Sequence, residues 1–244
     1  MKKPVLYKEA NFLLGNIFLA IGASLLVTAN FGVSVVVAPA YLIHLKLSQI
    51  WSFVTFGVAE YIMQGLLLLL VVFLVRRFHW SYLFSFATTL MYGVILDFVL
   101  RCLNQLNLGG LPVQILCFSL GTVICAIGVT LMLHSYISPQ VYELLIKEAA
   151  GKFHLSFGRV KYTYDLCSCL LAISLSFLFF GFGPLHGVGV GTVLCALING
   201  RLIASFTKLL VKHITLKTAF PSIEKYFSPP PFPEKSAAQA PENA

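Results

Sequence analysis

The 244 residues are 58% hydrophobic and 11% charged, with a mean hydropathy of +0.87, whereas a soluble domain carries about 25% charged residues. That argues against a water-soluble globular protein, and one membrane domain accounts for the length. The net charge of +8 does not point to nucleic acid, because the basic residues flank apolar runs, where they orient helices toward the cytoplasm.

In chain order, Lys2, Lys3 and Lys8 precede an apolar run over 11–30. The run is as long as a full span and is followed by others, so it reads as a first membrane helix and not as a cleaved signal. Segment 34–50 is too short to cross; it lacks charge on one face and carries Pro39, which suits a re-entrant piece buried by protein. Runs at 53–75, 80–100 and 113–134 are each long enough to cross about 30 Å of hydrocarbon. Segment 138–151 is again too short. Ser138 suits an N-cap, Pro139 the first helical position, and Glu143, Lys147 and Glu148 one charged face, which predicts a short amphipathic helix at the cytoplasmic interface. Runs at 160–182 and 187–211 complete six spans, and the proline- and alanine-rich tail from about 226 is expected to be disordered. The expected organisation is a cytoplasmic N-terminal segment 1–10, a membrane domain 11–212 and a cytoplasmic C-terminal segment 213–244. With both termini inside, the outer segments hold only Lys46 and Arg101, and the remaining loop and tail Lys and Arg lie inside.

The two halves repeat. Phe12-x-Leu14-Gly15-x4-Ala20-Ile21-Gly22-x2-Leu25 matches Phe118-x-Leu120-Gly121-x4-Ala126-Ile127-Gly128-x2-Leu131 at an offset of 106 residues. Phe56-Gly57-x2-Glu60-Tyr61 matches Phe157-Gly158-x2-Lys161-Tyr162 at an offset of 101. Repeat 1 runs over about 11–105 and repeat 2 over about 113–212. Three spans per half is an odd number, so the second copy enters the membrane from the opposite side. The predicted fold is therefore all-α: six spans as two inverted three-helix repeats, each with a short non-spanning helix after its first span, an architecture common among secondary transporters. Gly15, Gly22, Gly121 and Gly128 are spaced to lie on one helix face in each half, where they let helices approach closely.

These glycine pairs, the Gly32-Val33-Ser34 and Ser138-Pro139 turns, the Phe-Gly pairs and Gly187-Val188-Gly189-Val190-Gly191-Thr192 carry a resemblance. Over roughly residues 10–212 the chain resembles the YczE/YyaS/YitT group of bacterial integral membrane proteins. It departs from that pattern at Ser34-Val35, where the second half has Ser138-Pro139, and in the polar cluster Arg159, Lys161 and Asp165. The resemblance implies a multi-pass protein of the bacterial inner membrane and supplies no substrate.

Ionisable groups at membrane depth are costly and mark sites by default. Glu60 lies one turn from Gln64 on the second span, Asp97 lies toward the outer end of the third, and Lys161, Asp165 and Asn199 occupy the corresponding second-half regions. Arg201 sits near the middle of the sixth span, where its fixed charge needs either an acidic partner (Glu60, Asp97 or Asp165) or an anionic solute. Lys161 and Asp165 are spaced for an intrahelical ion pair, and Glu60 and Asp97 are candidate proton-coupling carboxylates. Ser34 and Ser138 open the short segments, whose helix N-termini suit an anion. The six cysteines lack paired CxxC spacing and the histidines are scattered near span ends. No enzyme motif, metal site or cofactor is expected. The partners expected are the lipid bilayer and a small solute, with no nucleic acid. The leading functional expectation is a secondary-transporter-like permease for a small solute, an anion being the class Arg201 suggests. Its rival is a non-transporting accessory protein of the membrane. Convergence of Arg201, Glu60 and Asp97 on one cavity favours the first; separate helix contacts favour the second.

Overall fold

The computed structural model describes residues 4–76, 78–106, 110–182 and 187–219. The disorder expected from about 226 lies outside the described residues. Among the described residues the regular structure is helical, apart from two three-residue strands. The elements in order are β1 (Val5–Tyr7), α1 (Lys8–Ala29), α2 (Ala38–Leu47), α3 (Phe56–Val75), α4 (Ser81–Gln105), α5 (Leu111–Leu133), α6 (Val141–Phe153), α7 (Phe157–Phe180), α8 (Val190–His213) and β2 (Thr215–Lys217). Six of these, α1, α3, α4, α5, α7 and α8, are long and apolar enough to cross a bilayer. They fall within a few residues of the six predicted runs.

The boundaries have local causes. Asn30 closes α1 in the left-handed conformation at φ 56°, and Thr55 caps α3 by accepting from the Val58 N–H at 3.3 Å. Pro39 is tolerated in α2 because it lies in the first turn, where a missing N–H costs nothing. The start of α6 differs from the prediction: Gln140, not Ser138, is the N-cap, and Pro139 precedes the helix. Ser138 is displaced from the helix end because its carbonyl accepts the Thr88 hydroxyl at 3.1 Å, which ties the turn to α4.

The centre of the molecule is the crossing of α1 and α5, each half buried inside the protein, while the most apolar stretches of α7 and α8 are only 17% and 11% buried. Gly15, Gly22, Gly121 and Gly128 make this crossing. A Cβ at Gly15 would lie 2.8 Å from the Gly128 carbonyl oxygen, and one at Gly22 would lie 2.8 Å from that of Gly121. The two backbones are therefore in contact, as small residues allow in membrane helices. Around this crossing α1 packs on α4 and α5 on α8, while α2 and α6 each touch both α3 and α7. The apolar face of α6 (Val141, Tyr142, Leu144, Leu145 and Ile146) is buried against protein. One pairing is missing: α3 packs along α4, but α7 and α8 barely meet among the described residues.

The strands were not predicted. β1 and β2 pair in parallel, with Leu6 opposite Leu216, and Glu9 accepts the Ala219 N–H at 3.0 Å. The start of α1 and the end of α8 are thereby joined on one side of the bundle, as an even number of spans requires.

Candidate functional site

Two polar layers run through the helix contacts. In the first, Gln64 on α3 donates from Nε2 to Glu60 Oε2 at 3.0 Å, while its Oε1 accepts the Thr89 hydroxyl at 2.6 Å and the Val141 N–H at 3.1 Å. The Tyr142 hydroxyl donates to the same Glu60 oxygen at 2.9 Å. Glu60 and Gln64 are fully buried, and Glu60 Oε1 has no hydrogen-bond partner among the described residues. In the second layer, Gln140 Nε2 donates to Asn16 Oδ1, and Asn16 Nδ2 donates to the Thr88 carbonyl, each at 3.3 Å. These bonds join α1, α3 and α4 to the entry of α6, and unpaired donors and acceptors in a membrane core would be costly.

Asp97 has a different surrounding. Its Oδ2 accepts the Thr55 hydroxyl at 2.5 Å and its Oδ1 the Gly57 N–H at 2.9 Å. The carboxylate of α4 thus caps the first turn of α3, where a negative charge meets the positive end of the helix. Replacing Asp97 with alanine is expected to lower stability by about 1–2 kcal/mol, read as a lower thermal midpoint of the purified protein in detergent. An unchanged midpoint would remove the capping role.

A cavity of about 490 Å³ occupies the space left where α7 and α8 diverge. Its floor is the α1–α5 crossing, at Leu19, Ala23, Cys125 and Ala126. Both short helices reach it by their N-terminal ends, α2 through 34–37 and α6 through Gln140, Tyr142 and Glu143. α7 contributes Gly158, Lys161, Tyr162 and Asp165, and α8 contributes Cys195, Asn199, Gly200 and Ala204. Lys161 Nζ is bonded to Asp165 Oδ1 at 2.8 Å. Glu143 Oε2 and Asn199 Oδ1 are buried atoms without a hydrogen-bond partner among the described residues. Burial raises the Glu143 carboxyl above the usual carboxylate range, and the Lys161 charge opposes that rise.

The candidate residues therefore divide. Asp165, Asn199 and Ser34 line the cavity, and Glu60 lies behind Tyr142, one hydrogen bond from its wall. Asp97 is engaged in the α3–α4 contact, and Ser138 in the turn before α6. Arg201 is exposed on α8, does not line the cavity, and makes no ion pair among the described residues. Arg201, Glu60 and Asp97 do not converge. The cavity is instead lined by Gln140, Tyr142, Glu143 and Lys161, of which only Lys161 was singled out for a position at membrane depth. Glu143 was visible in the sequence as part of a charged helix face, but that pattern equally describes a face turned to water.

The model of a family of unknown function, DUF6198, matches residues 6–208. No curated protein and no solved structure matches the chain, and no comparison names the YczE/YyaS/YitT group.

Proposed function

We propose that this chain, which belongs to the DUF6198 family, is a permease of the bacterial cell membrane that binds a small solute in the α7–α8 cavity and carries it by closing that gap. Both termini lie on the cytoplasmic side in this reading, and the two halves are inverted copies. The helix pairings support the copies: α1–α4 has its counterpart in α5–α8, α2–α7 in α6–α3, and α2–α3 in α6–α7.

The observation that carries the reading is the unequal treatment of equivalent glycines. Phe56-Gly57 corresponds to Phe157-Gly158, and Leu90-x-Tyr92-Gly93 to Leu197-x-Asn199-Gly200. In the first half a Cβ at Gly57 would lie 2.6 Å from the Gly93 carbonyl oxygen, and one at Gly93 would strike the Tyr61 ring, so α3 and α4 are shut on each other. In the second half a Cβ at Gly158 or Gly200 would meet nothing within 4 Å among the described residues. Both positions border the cavity. The second half thus has the small residues needed for a tight α7–α8 contact and does not make it in this state. Asp97, which locks α3 to α4, is matched in that register by Ala204, so the α7–α8 pair lacks the lock and is the mobile gate.

Gly200→Ala is the discriminating variant. Alanine in a helix interior is more favourable than glycine by about 1 kcal/mol, and the site has room, so stability is expected to hold or rise. Closure, however, loses its close approach, and solute flux into proteoliposomes is expected to fall at least tenfold, on the order of the cost of overpacking an interface. Uptake is measured across a panel of organic anions, amino acids and organic cations, with and without a pH gradient. Absence of flux for every solute would overturn the permease.

The accessory reading is favoured by one observation: Glu60 and Asp97 are occupied in helix contacts, and Arg201 faces outward from a helix that is 11% buried. It predicts that Gly200→Ala changes nothing but stability.

A further inference from the structure

Among the described residues, the buried polar atoms at the cavity that lack a hydrogen-bond partner are acceptors. Glu143 Oε2 and Asn199 Oδ1 are buried at its wall without a donor, and behind Tyr142 the buried Glu60 Oε1 is likewise unmatched. A buried acceptor left without a donor is costly. The formal charges at the wall also leave an excess of negative charge: Lys161 is held by Asp165 at 2.8 Å, and Glu143 has no ion-pair partner among the described residues. The positive end of α6 does not reverse this. Glu143 stands in the first turn of that helix, so the helix end is met by its own carboxylate. Arg201, the residue that would favour an anion, is outside the cavity. Most of the rest of the wall, including Leu19, Val129 and Ile203, is apolar, and Ser34, Gln140 and the tyrosines Tyr92, Tyr142 and Tyr162 supply its other polar groups.

We propose that the cavity takes an organic cation with N–H donors and an apolar body, its charged head on Glu143 and its body against the α1–α5 crossing. This rests on the permease reading for transport but not for binding, because a cavity of about 490 Å³ is within the usual range of small-molecule sites. An anion would set acceptors against acceptors. A neutral apolar solute would leave Glu143 buried and unpaired.

The test uses the full chain purified in detergent and three ligands of matched shape: 4-phenylbutylguanidinium, 4-phenylbutanol and 4-phenylbutyrate. Binding is measured by calorimetry, and flux is measured in proteoliposomes. The guanidinium is expected to bind at least about tenfold more tightly than the other two, the usual scale for a hydrogen bond to a charged group. Glu143→Gln is expected to remove that preference while leaving the thermal midpoint and the butanol affinity in place. Should that variant fail to fold, competition of the guanidinium by increasing concentrations of the butyrate in the wild type serves instead, with weak competition expected. Equal or tighter binding of the butyrate, no binding of any ligand, or an unchanged preference in Glu143→Gln would each overturn the proposal. Flux of the butyrate but not the guanidinium would leave the permease standing and remove the cation. Binding of the guanidinium without flux would do the reverse.

Discussion

Gly22→Leu is expected to abolish folding of the membrane domain. A Cβ at this position alone would lie 2.7 Å from the Cys125 backbone nitrogen and 2.8 Å from the Gly121 carbonyl oxygen. Those atoms belong to α5 and cannot turn aside as a flexible side chain can, so the helices must separate. Separation breaks all four glycine contacts, because Gly15 meets Gly128 on the same seam. Overpacking of a well-packed core costs about 1–3 kcal/mol, and more where the obstruction is backbone. Here the loss falls on the crossing on which the other helices are arranged. The measurement is the yield of monodisperse protein by size-exclusion chromatography in detergent, with Gly65→Leu as the control. At Gly65 a Cβ meets only the Phe86 ring edge at 3.7 Å, and the variant is expected to behave as wild type. Normal yield and midpoint for Gly22→Leu would show that α1 and α5 are not held by this contact.

The second large effect is expected at Gln64. Replacement by leucine removes three hydrogen bonds at once: to Glu60, from Thr89 and from the Val141 N–H. Interhelical hydrogen bonds in membranes average only about 0.6 kcal/mol, with values up to about 2. The larger part of the cost comes from what is left behind, a buried carboxylate holding only Tyr142 and an unpaired N–H at the entry of α6. A loss of about 2–4 kcal/mol follows, read as a shift in the unfolding midpoint on titration with denaturing detergent. The double variant Glu60→Leu with Gln64→Leu is expected to recover part of it, because the orphaned carboxylate goes with its partner. A double variant weaker than the sum of the two singles would contradict this account of the network.

Some of this was legible in the residues. Gly15, Gly22, Gly121 and Gly128 announce a close helix contact through spacing alone, since a seven-residue interval returns to nearly the same helix face. Other features were not. Asp97 reads as an intramembrane carboxylate, and nothing in its own helix says that the start of α3 lies within 2.9 Å of it. Arg201 reads as a residue in need of a partner, and the structure places it on the outer side of α8. Ser138 reads as a cap, but a tertiary bond from Thr88 holds its carbonyl and the helix begins at Val141. The pairing of β1 with β2 joins residues more than 200 apart through three-residue segments, too short for any pattern to mark.

The sequence by itself determined the six apolar helices, the two short ones between them and the small-residue seam, because hydrocarbon thickness and helix period act along a single chain segment. Only the tertiary structure decided that α3 and α4 are shut while α7 and α8 stand apart, and so which polar side chains surround a cavity. The physical reason is that spacing fixes a residue's face relative to its own helix, whereas a cavity exists only where a neighbouring helix is absent. Gly57 and Gly158 each stand second in their helix after a phenylalanine, yet a Cβ at Gly57 would meet Gly93 and Asp97 whereas one at Gly158 would meet nothing within 4 Å among the described residues.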